Sequence, residues 1–306
     1  MIRAGNIEKS YGGQKALKGI TLEVGEGEIF GLIGPDGAGK TTLMRILVTL
    51  LLPDKGFATL DGMDVVADFR KIRKMVGYMP GRFSLYPDLT VAENLQFFAT
   101  VFGGTVEANY HLIRDIYSQI EPFRNRPAGK LSGGMKQKLA LSCALIHAPK
   151  VLILDEPTTG VDAVSRKEFW EMLNNLRHNG ITIMVSTPYM DEANLCDRVA
   201  LFQNGNILSI NTPAKITASF TRKMLGVKVL NTSQRFECVR LLKEMKGVVS
   251  VFSFGDVIHV TLSRPDINEK IVREYLSSRG QQGVTVGVIS AGIEDVFMEL
   301  MQHDGK

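Results

Sequence analysis

The chain has 306 residues, 44% of them apolar, which is room for one large domain or two ordinary ones around a real core. No run of 18 apolar residues occurs, so no membrane-spanning helix is predicted, and the stretch from Met1 to Lys9 lacks the apolar block of a secretory signal. The net charge of +4 is spread evenly, 24 basic against 22 acidic through residue 221 and 12 against 10 after it; with no basic tail or stripe, no nucleic-acid partner is expected.

Cys143, Cys196 and Cys238 have no metal-ligand spacing and read as reduced thiols of a cytosolic protein. In chain order, residues 2–24 read as an antiparallel start, with Ile20, Leu22 and Val24 alternating against polar neighbours. Within it, Tyr11 precedes the pair Gly12-Gly13. Residues 28–33 then form an apolar strand that runs into Gly34-Pro35-Asp36-Gly37-Ala38-Gly39-Lys40-Thr41-Thr42, and a helix is predicted from Thr42 onward. Strand, glycine-rich loop and helix is the setting of a phosphate-binding P-loop. Glycines 34, 37 and 39 let successive backbone N–H groups turn onto a phosphate, and the helix start adds partial positive charge there. Lys40 would then reach the β- and γ-phosphates of a nucleotide, and the Thr41 hydroxyl is placed for Mg²⁺.

Residues 75–78 read as a short strand ending at Met79-Pro80-Gly81, and the stretch 87–130 is helical in pattern, with a capping box at Thr90 and Glu93 ahead of Leu95, Phe97 and Phe98. Leu131-Ser132-Gly133-Gly134-Met135 opens a further helix, since apolar residues recur at Met135, Leu139, Cys143 and Ile146. Ser132 and the two glycines present backbone N–H groups at its start. Val151 to Leu154 is an apolar run suited to a parallel strand buried on both faces. Asp155 ends that run where an acid holds Mg²⁺, and Glu156 follows where a general base polarises an attacking water; the plainer reading is two capping carboxylates at a strand end. Residues 181–186 and 199–202 are further strands, and residues 203–206 turn a hairpin into a strand over 207–210. Strands alternating with long connections predict an α/β fold with a mostly parallel sheet.

A P-loop, Leu131–Met135 and Val151–Pro157, in this order and spacing, resemble the ATP-binding cassette (ABC) ATPases over Met1 to Phe220. The resemblance implies a cassette with a helical subdomain at about residues 87–148. It implies a Tyr11 ring stacking on adenine, the alternative being a strand-edge tyrosine packed on the core. Ser132, Gly133 and Gly134 would reach the γ-phosphate held by a facing second cassette, with Asp162 on the loop along that seam. A transmembrane permease subunit would insert a short helix between helical subdomain and core, where Phe83, Leu85 and Tyr86 either line the groove or are ordinary core residues. Such a subunit sits in the cytoplasm, peripheral on the inner face of the membrane through its permease. The chain departs from the family at two places: Gly81 stands where a glutamine is usual, and Pro188 where a histidine is usual. Pro188 suits the first turn of a helix capped by Thr187, but offers no donor to a γ-phosphate. The resemblance and its departures point to an exporter ATPase whose own site hydrolyses slowly, the degenerate half of a heteromeric pair. The alternatives are a non-hydrolysing nucleotide-dependent regulator and a soluble ABC protein acting on ribosomes or DNA; against the latter, no heptad run separates Lys40 from Asp155.

From residue 221 the pattern changes to a small α+β domain: strand 224–230, helix 234–245, a hairpin of 248–253 and 257–262 around Gly255-Asp256, helix 267–277, strand 284–289 and helix 294–300. That succession suggests a ferredoxin-like split βαβ module. It carries no recognisable catalytic set, and His259, His303 and Glu294 read as surface or packing residues.

Overall fold

The computed structural model describes residues 1–304, apart from the side chains of Thr232, His303 and Asp304. It divides into two compact units, Met1–Pro213 and one that begins at Ala214.

The first unit opens with the antiparallel pair β1 (Ile2–Tyr11) and β2 (Gln14–Val24), in register from Ile2 opposite Val24 to Tyr11 opposite Gln14. Strand β3 (Ile29–Ile33) leads through the glycine-rich loop into α1 (Lys40–Leu47). Then come β4 (Lys55–Leu60), β5 (Met63–Asp64), α2 (Phe69–Met75) and β6 (Val76–Met79). A helical stretch follows, α3 (Val91–Val101), α4 (Val106–Tyr117) and α5 (Gly133–Leu145). The chain returns through β7 (Val151–Asp155), α6 (Ala163–His178), β8 (Thr182–Thr187), β9 (Arg198–Gln203) and β10 (Asn206–Asn211), and α7 (Pro213–Ala218) follows in sequence.

The main sheet has the order β10-β9-β3-β8-β7-β6, parallel throughout except for the antiparallel edge strand β10. All residues of β3, β7 and β8 are buried, as strands in a sheet covered on both faces must be, and the polar ones, Asp155, Thr182, Ser186 and Thr187, lie at strand ends. A second sheet, β2-β1-β4-β5, is antiparallel. Helix α1 joins the two: Leu43, Met44, Ile46 and Leu47 share one core with Ile7, Leu17 and Leu60 of the second sheet and with Phe30, Ile153 and Phe202 of the first. Each such fully buried side chain contributes about 1.5–3 kcal/mol, so the phosphate loop is carried by a helix that is itself part of the core.

In the helical stretch the expected capping box is present. The Thr90 hydroxyl accepts from the Glu93 N–H at 3.2 Å, and the Thr90 N–H donates to the Glu93 carboxylate at 2.8 Å. Buried Asn94 fixes the approach by donating to the carbonyls of Tyr86, Leu89 and Thr90 and accepting from the Tyr86 N–H.

The second unit runs β11 (Met224–Lys228), α8 (Thr232–Glu244), β12 (Val248–Phe254), β13 (Val257–Leu262), α9 (Glu269–Ser277), β14 (Thr285–Val288) and α10 (Ile293–Asp304). Its sheet order is β12-β13-β11-β14, every neighbouring pair antiparallel. Leu225, Val227, Ile258 and Val260 form its core with Leu242, Val272 and Leu276 of the helices. His259, the residue between Ile258 and Val260, meets the buried Asp295 of α10 at 2.8 Å and is a packing residue. Glu294 is half-buried beside it in sequence, and the His303 side chain lies outside the described residues.

Candidate nucleotide site

Strand register decides what meets. Ile33 pairs with Thr187, Asp155 with Ser186, and Met79 with Leu154, so β3, β7, β8 and β6 end along one edge. The segments beginning at Gly34, Glu156, Pro188 and Pro80 therefore leave the sheet side by side, at the carboxyl ends of parallel strands where α/β folds bind ligands.

The loop needs its glycines. Gly37 and Gly39 have φ of +76° and +109°, conformations costly for other residues, and a Cβ at Gly34 would fall on the Phe202 carbonyl. Pro35, Asp36 and Gly37 form the exposed tip, Ala38 and Lys40 are buried, and Thr41 and Thr42 are half-buried. The Lys40 ammonium donates to the carbonyls of Gly34 at 2.6 Å and Pro35 at 3.0 Å and lies 3.6 Å from the Glu156 carboxylate. Burial pushes the Lys40 pKa below the ordinary lysine range, against the pull of Glu156, Asp36 and Asp155.

On the facing strand ends, Asp155 is buried, and one of its carboxylate oxygens accepts from the Thr41 hydroxyl at 3.0 Å and the Ser186 hydroxyl at 2.7 Å. Ser186 also accepts from the Glu156 N–H at 3.0 Å, and the Ser186 carbonyl accepts from it at 3.1 Å. Glu156 has φ of +50°, left-handed backbone that costs a non-glycine residue about 1–3 kcal/mol. The two acceptors on β8 hold it there. Burial raises the Glu156 carboxyl above the ordinary glutamate range, more than Lys40 lowers it. Ser186 is the site residue that sequence reasoning passed over. Its signal was its place one residue before Thr187 on a strand parallel to the one ending in Asp155.

Around residue 188 the backbone differs from the helix expected there. Thr187 is the last residue of β8, the Tyr189 N–H donates to its hydroxyl at 3.1 Å, and only a 3₁₀ turn follows, Met190–Leu195. Thr187 thus closes a local turn and caps no α-helix. Gly81 lies against the acid: a Cβ there would stand 3.1 Å from the Asp155 carbonyl and 3.8 Å from its carboxyl carbon.

The other sequence candidates lie on separate elements. Tyr11 ends β1 at the Gly12-Gly13 turn and is 49% exposed, so it is not a core tyrosine. Ser132 caps α5 by accepting from the Met135 N–H at 3.3 Å. Gly133 and Gly134 pack closely on the next turn, where added Cβ atoms would meet the Gly160 carbonyl at 3.1 Å and the Ser165 hydroxyl at 2.7 Å. Asp162 caps α6 by accepting from the N–H groups of Val164 and Ser165, which hold its carboxyl below the usual range. Among the described residues no hydrogen bond joins Ser132–Gly134 to the loop of residues 34–42.

A groove of about 410 Å³ lies between α5, α3 and the end of β6, lined among others by Leu50, Tyr78, Leu85, Val101, Phe102 and His147. Leu85 is buried in its wall, whereas Phe83 and Tyr86 are exposed beside it, against Lys136 and Phe97 respectively. Of Phe83, Leu85 and Tyr86, only Leu85 lines it.

A family model described as ABC transporter matches residues 17–159. The daunorubicin resistance ATP-binding protein DrrA2 of Streptomyces coeruleorubidus is 33% identical over 99% of this chain and 95% of its own length. The chain belongs to the ABC transporter ATP-binding family. A further member, the probable multidrug ABC transporter ATP-binding protein YbhF of Escherichia coli (strain K12), is 37% identical over the whole of this chain and 53% of its own. The chain thus spans about half the length of that relative. Among solved structures, the dimeric post-hydrolysis state of the ATP-binding cassette MJ0796 bound to ADP and Pi superimposes with a TM-score of 0.63 at 27% identity, over 69% of this chain and 98% of that one. The ABC fold is therefore established for the first unit, and no helix among the described residues is long and apolar enough to cross a membrane.

Proposed function

We propose that this chain is the ATP-binding subunit of an ABC exporter that binds and hydrolyses Mg-ATP to drive a separate permease. The observation that carries the reading is the contact of the Thr41 hydroxyl with Asp155 beside Lys40 and Glu156, a phosphate loop and an acid pair assembled on one sheet edge. Thr41 and Asp155 supply two adjacent oxygens, the number a Mg²⁺ ion shared with phosphates and water requires of a protein. Bound there, the ion would neutralise charge on the β- and γ-phosphates. Gly34 to Thr42 would hold the phosphates through backbone N–H groups, with Pro35 and Asp36 at the loop tip, Tyr11 would stack on adenine, and Glu156 would polarise the attacking water. Ser132, Gly133 and Asp162 are exposed and, with the backbone of buried Gly134, would meet a second cassette, and the groove beside Leu85 takes the permease. The names of the multidrug and daunorubicin relatives support export as the direction.

Gly81 and Pro188 remove two side chains from this centre, which supports the narrower reading that this site is the slow half of a heteromeric pair. The same two positions favour one rival, a cassette that binds ATP without hydrolysing it. Affinity capture of the tagged chain from its own membranes tests the exporter reading. A membrane protein retained stoichiometrically, with Mg-ATP binding lost in Lys40→Ala, is the expected result. Capture of no membrane protein sinks it.

A further inference from the structure

Glu192 is a buried carboxylate with no part in the scheme above, only 2% exposed and set in the 3₁₀ turn Met190–Leu195. One of its oxygens accepts from two hydroxyls, that of Thr187 at 2.5 Å and that of Thr158 at 3.1 Å, both donors fully buried. Among the described residues its other oxygen has no hydrogen-bond partner and lies 4.0 Å from Nε of Arg166, an atom that likewise has none. The Arg166 guanidinium sits over the Tyr189 ring, 4.6 Å from its centre. Three pieces of chain therefore converge on one side chain: the end of β8, the segment just past Glu156, and the first turns of α6.

A buried carboxylate is a poor device for stability, because an apolar side chain of similar size fills such a space at lower desolvation cost. What it offers is direction, since hydroxyls donating to an anionic oxygen are short, strong and geometrically exacting. Thr158 lies two residues beyond Glu156, whose own N–H is held by Ser186. The strained Glu156 backbone is thus tied to β8 on both sides, directly at Ser186 and through Glu192 at Thr187. Pro188 contributes nothing to this tie.

We infer that Glu192 is a positioning residue, which fixes the segment 156–162 to the end of β8 and so aims the Glu156 carboxylate. The structural arm stands by itself; the catalytic arm rests on the ATPase reading. The test is amide hydrogen exchange on the full chain with saturating Mg-ATP, comparing Glu192→Gln and Thr158→Val with the unaltered protein. Loss of the hydrogen bond in Thr158→Val should speed exchange over residues 157–165 about tenfold, with a smaller increase in the same segment for Glu192→Gln, while residues 34–42 and ATP affinity stay unchanged. Thr158→Val removes the donor outright, while Glu192→Gln keeps an acceptor oxygen but loses the charge that strengthens the bond; because both act on one tie, the double variant should exchange little faster than Thr158→Val alone. In any assembly that turns over, kcat should fall with KM for ATP unaltered. Unchanged exchange over 157–165, or acceleration spread equally over the whole first unit, overturns the inference. Thr158→Val replaces a hydroxyl by a methyl at equal volume and carries the test alone if Glu192→Gln does not fold. Glu156→Gln separates the two readings: turnover insensitive to it defeats the ATPase reading and leaves the exchange result standing.

Discussion

Returning a histidine to position 188 should make this site faster. Residue 188 follows Thr187, which pairs with Ile33 and whose carbonyl accepts from the Gly34 N–H at 3.4 Å, so it borders the start of the phosphate loop. The backbone can take the change: proline φ near −65° is open to any L-residue, and the turn is held by the Tyr189 N–H on the Thr187 hydroxyl. The cost is the lost rigidity of the unfolded chain, about 0.4–1 kcal/mol, or a fall in Tm of about 1–4 °C. The gain is one preorganised donor toward developing charge, worth about 2.7–4 kcal/mol or 10²–10³ in kcat. Phosphate release at saturating Mg-ATP measures it, with Pro188→His/Glu156→Gln as the blank. A change of less than threefold in a folded, ATP-binding variant refutes the view that a missing donor limits this site.

Ser186→Ala removes a buried donor to Asp155 but leaves the Glu156 N–H its backbone acceptor, so chemical denaturation should show a loss of about 1.5–3 kcal/mol; a loss under about 0.5 kcal/mol would contradict the geometry. The pH profile of kcat/KM should be narrower than free side chains give. Glu156 must be unprotonated and its pKa is raised, so the rate falls as pH drops, starting above the ordinary glutamate range. Lys40 must be protonated and its pKa is lowered, so the rate falls again as pH rises, starting below the ordinary lysine range. An acid limb at the position of a free glutamate would show that burial of Glu156 does not govern it. Val101→Asp places a carboxylate in the wall of the apolar groove and should weaken permease capture more than about tenfold without altering ATP binding; unchanged capture puts the docking surface elsewhere.

The phosphate loop, the acid pair and the helix capped by Ser132 were legible because each is a local rule: glycines for left-handed backbone, an apolar run for a buried strand, a hydroxyl ahead of a helix. The hairpin of β4 and β5 and the short α2 were not foreseen. Lys55–Leu60 is exposed over its first half and pairs with the distant β1, from Ile2 opposite Leu60 to Glu8 opposite Lys55, so its strand character comes from that partner. Thr187 followed by proline reads as a helix cap, yet the chain makes a side-chain-closed turn and a 3₁₀ segment, because the Thr187 hydroxyl donates inward to the buried Glu192, which also accepts from Thr158. Ser186 was hidden for a related reason: its importance lies in strand register, which brings it opposite Asp155, and register is a property of the assembled sheet.

The central claim is that this cassette binds Mg-ATP at an intact loop but turns it over slowly at its own site. Steady-state ATP hydrolysis by the purified chain, with Glu156→Gln as the blank, measures that most directly. Turnover close to the blank with ATP still bound is the expected result and directs the search to a partner cassette. Substantial turnover abolished by Glu156→Gln would contradict it and show that the site works unaided with Gly81 and Pro188 in place.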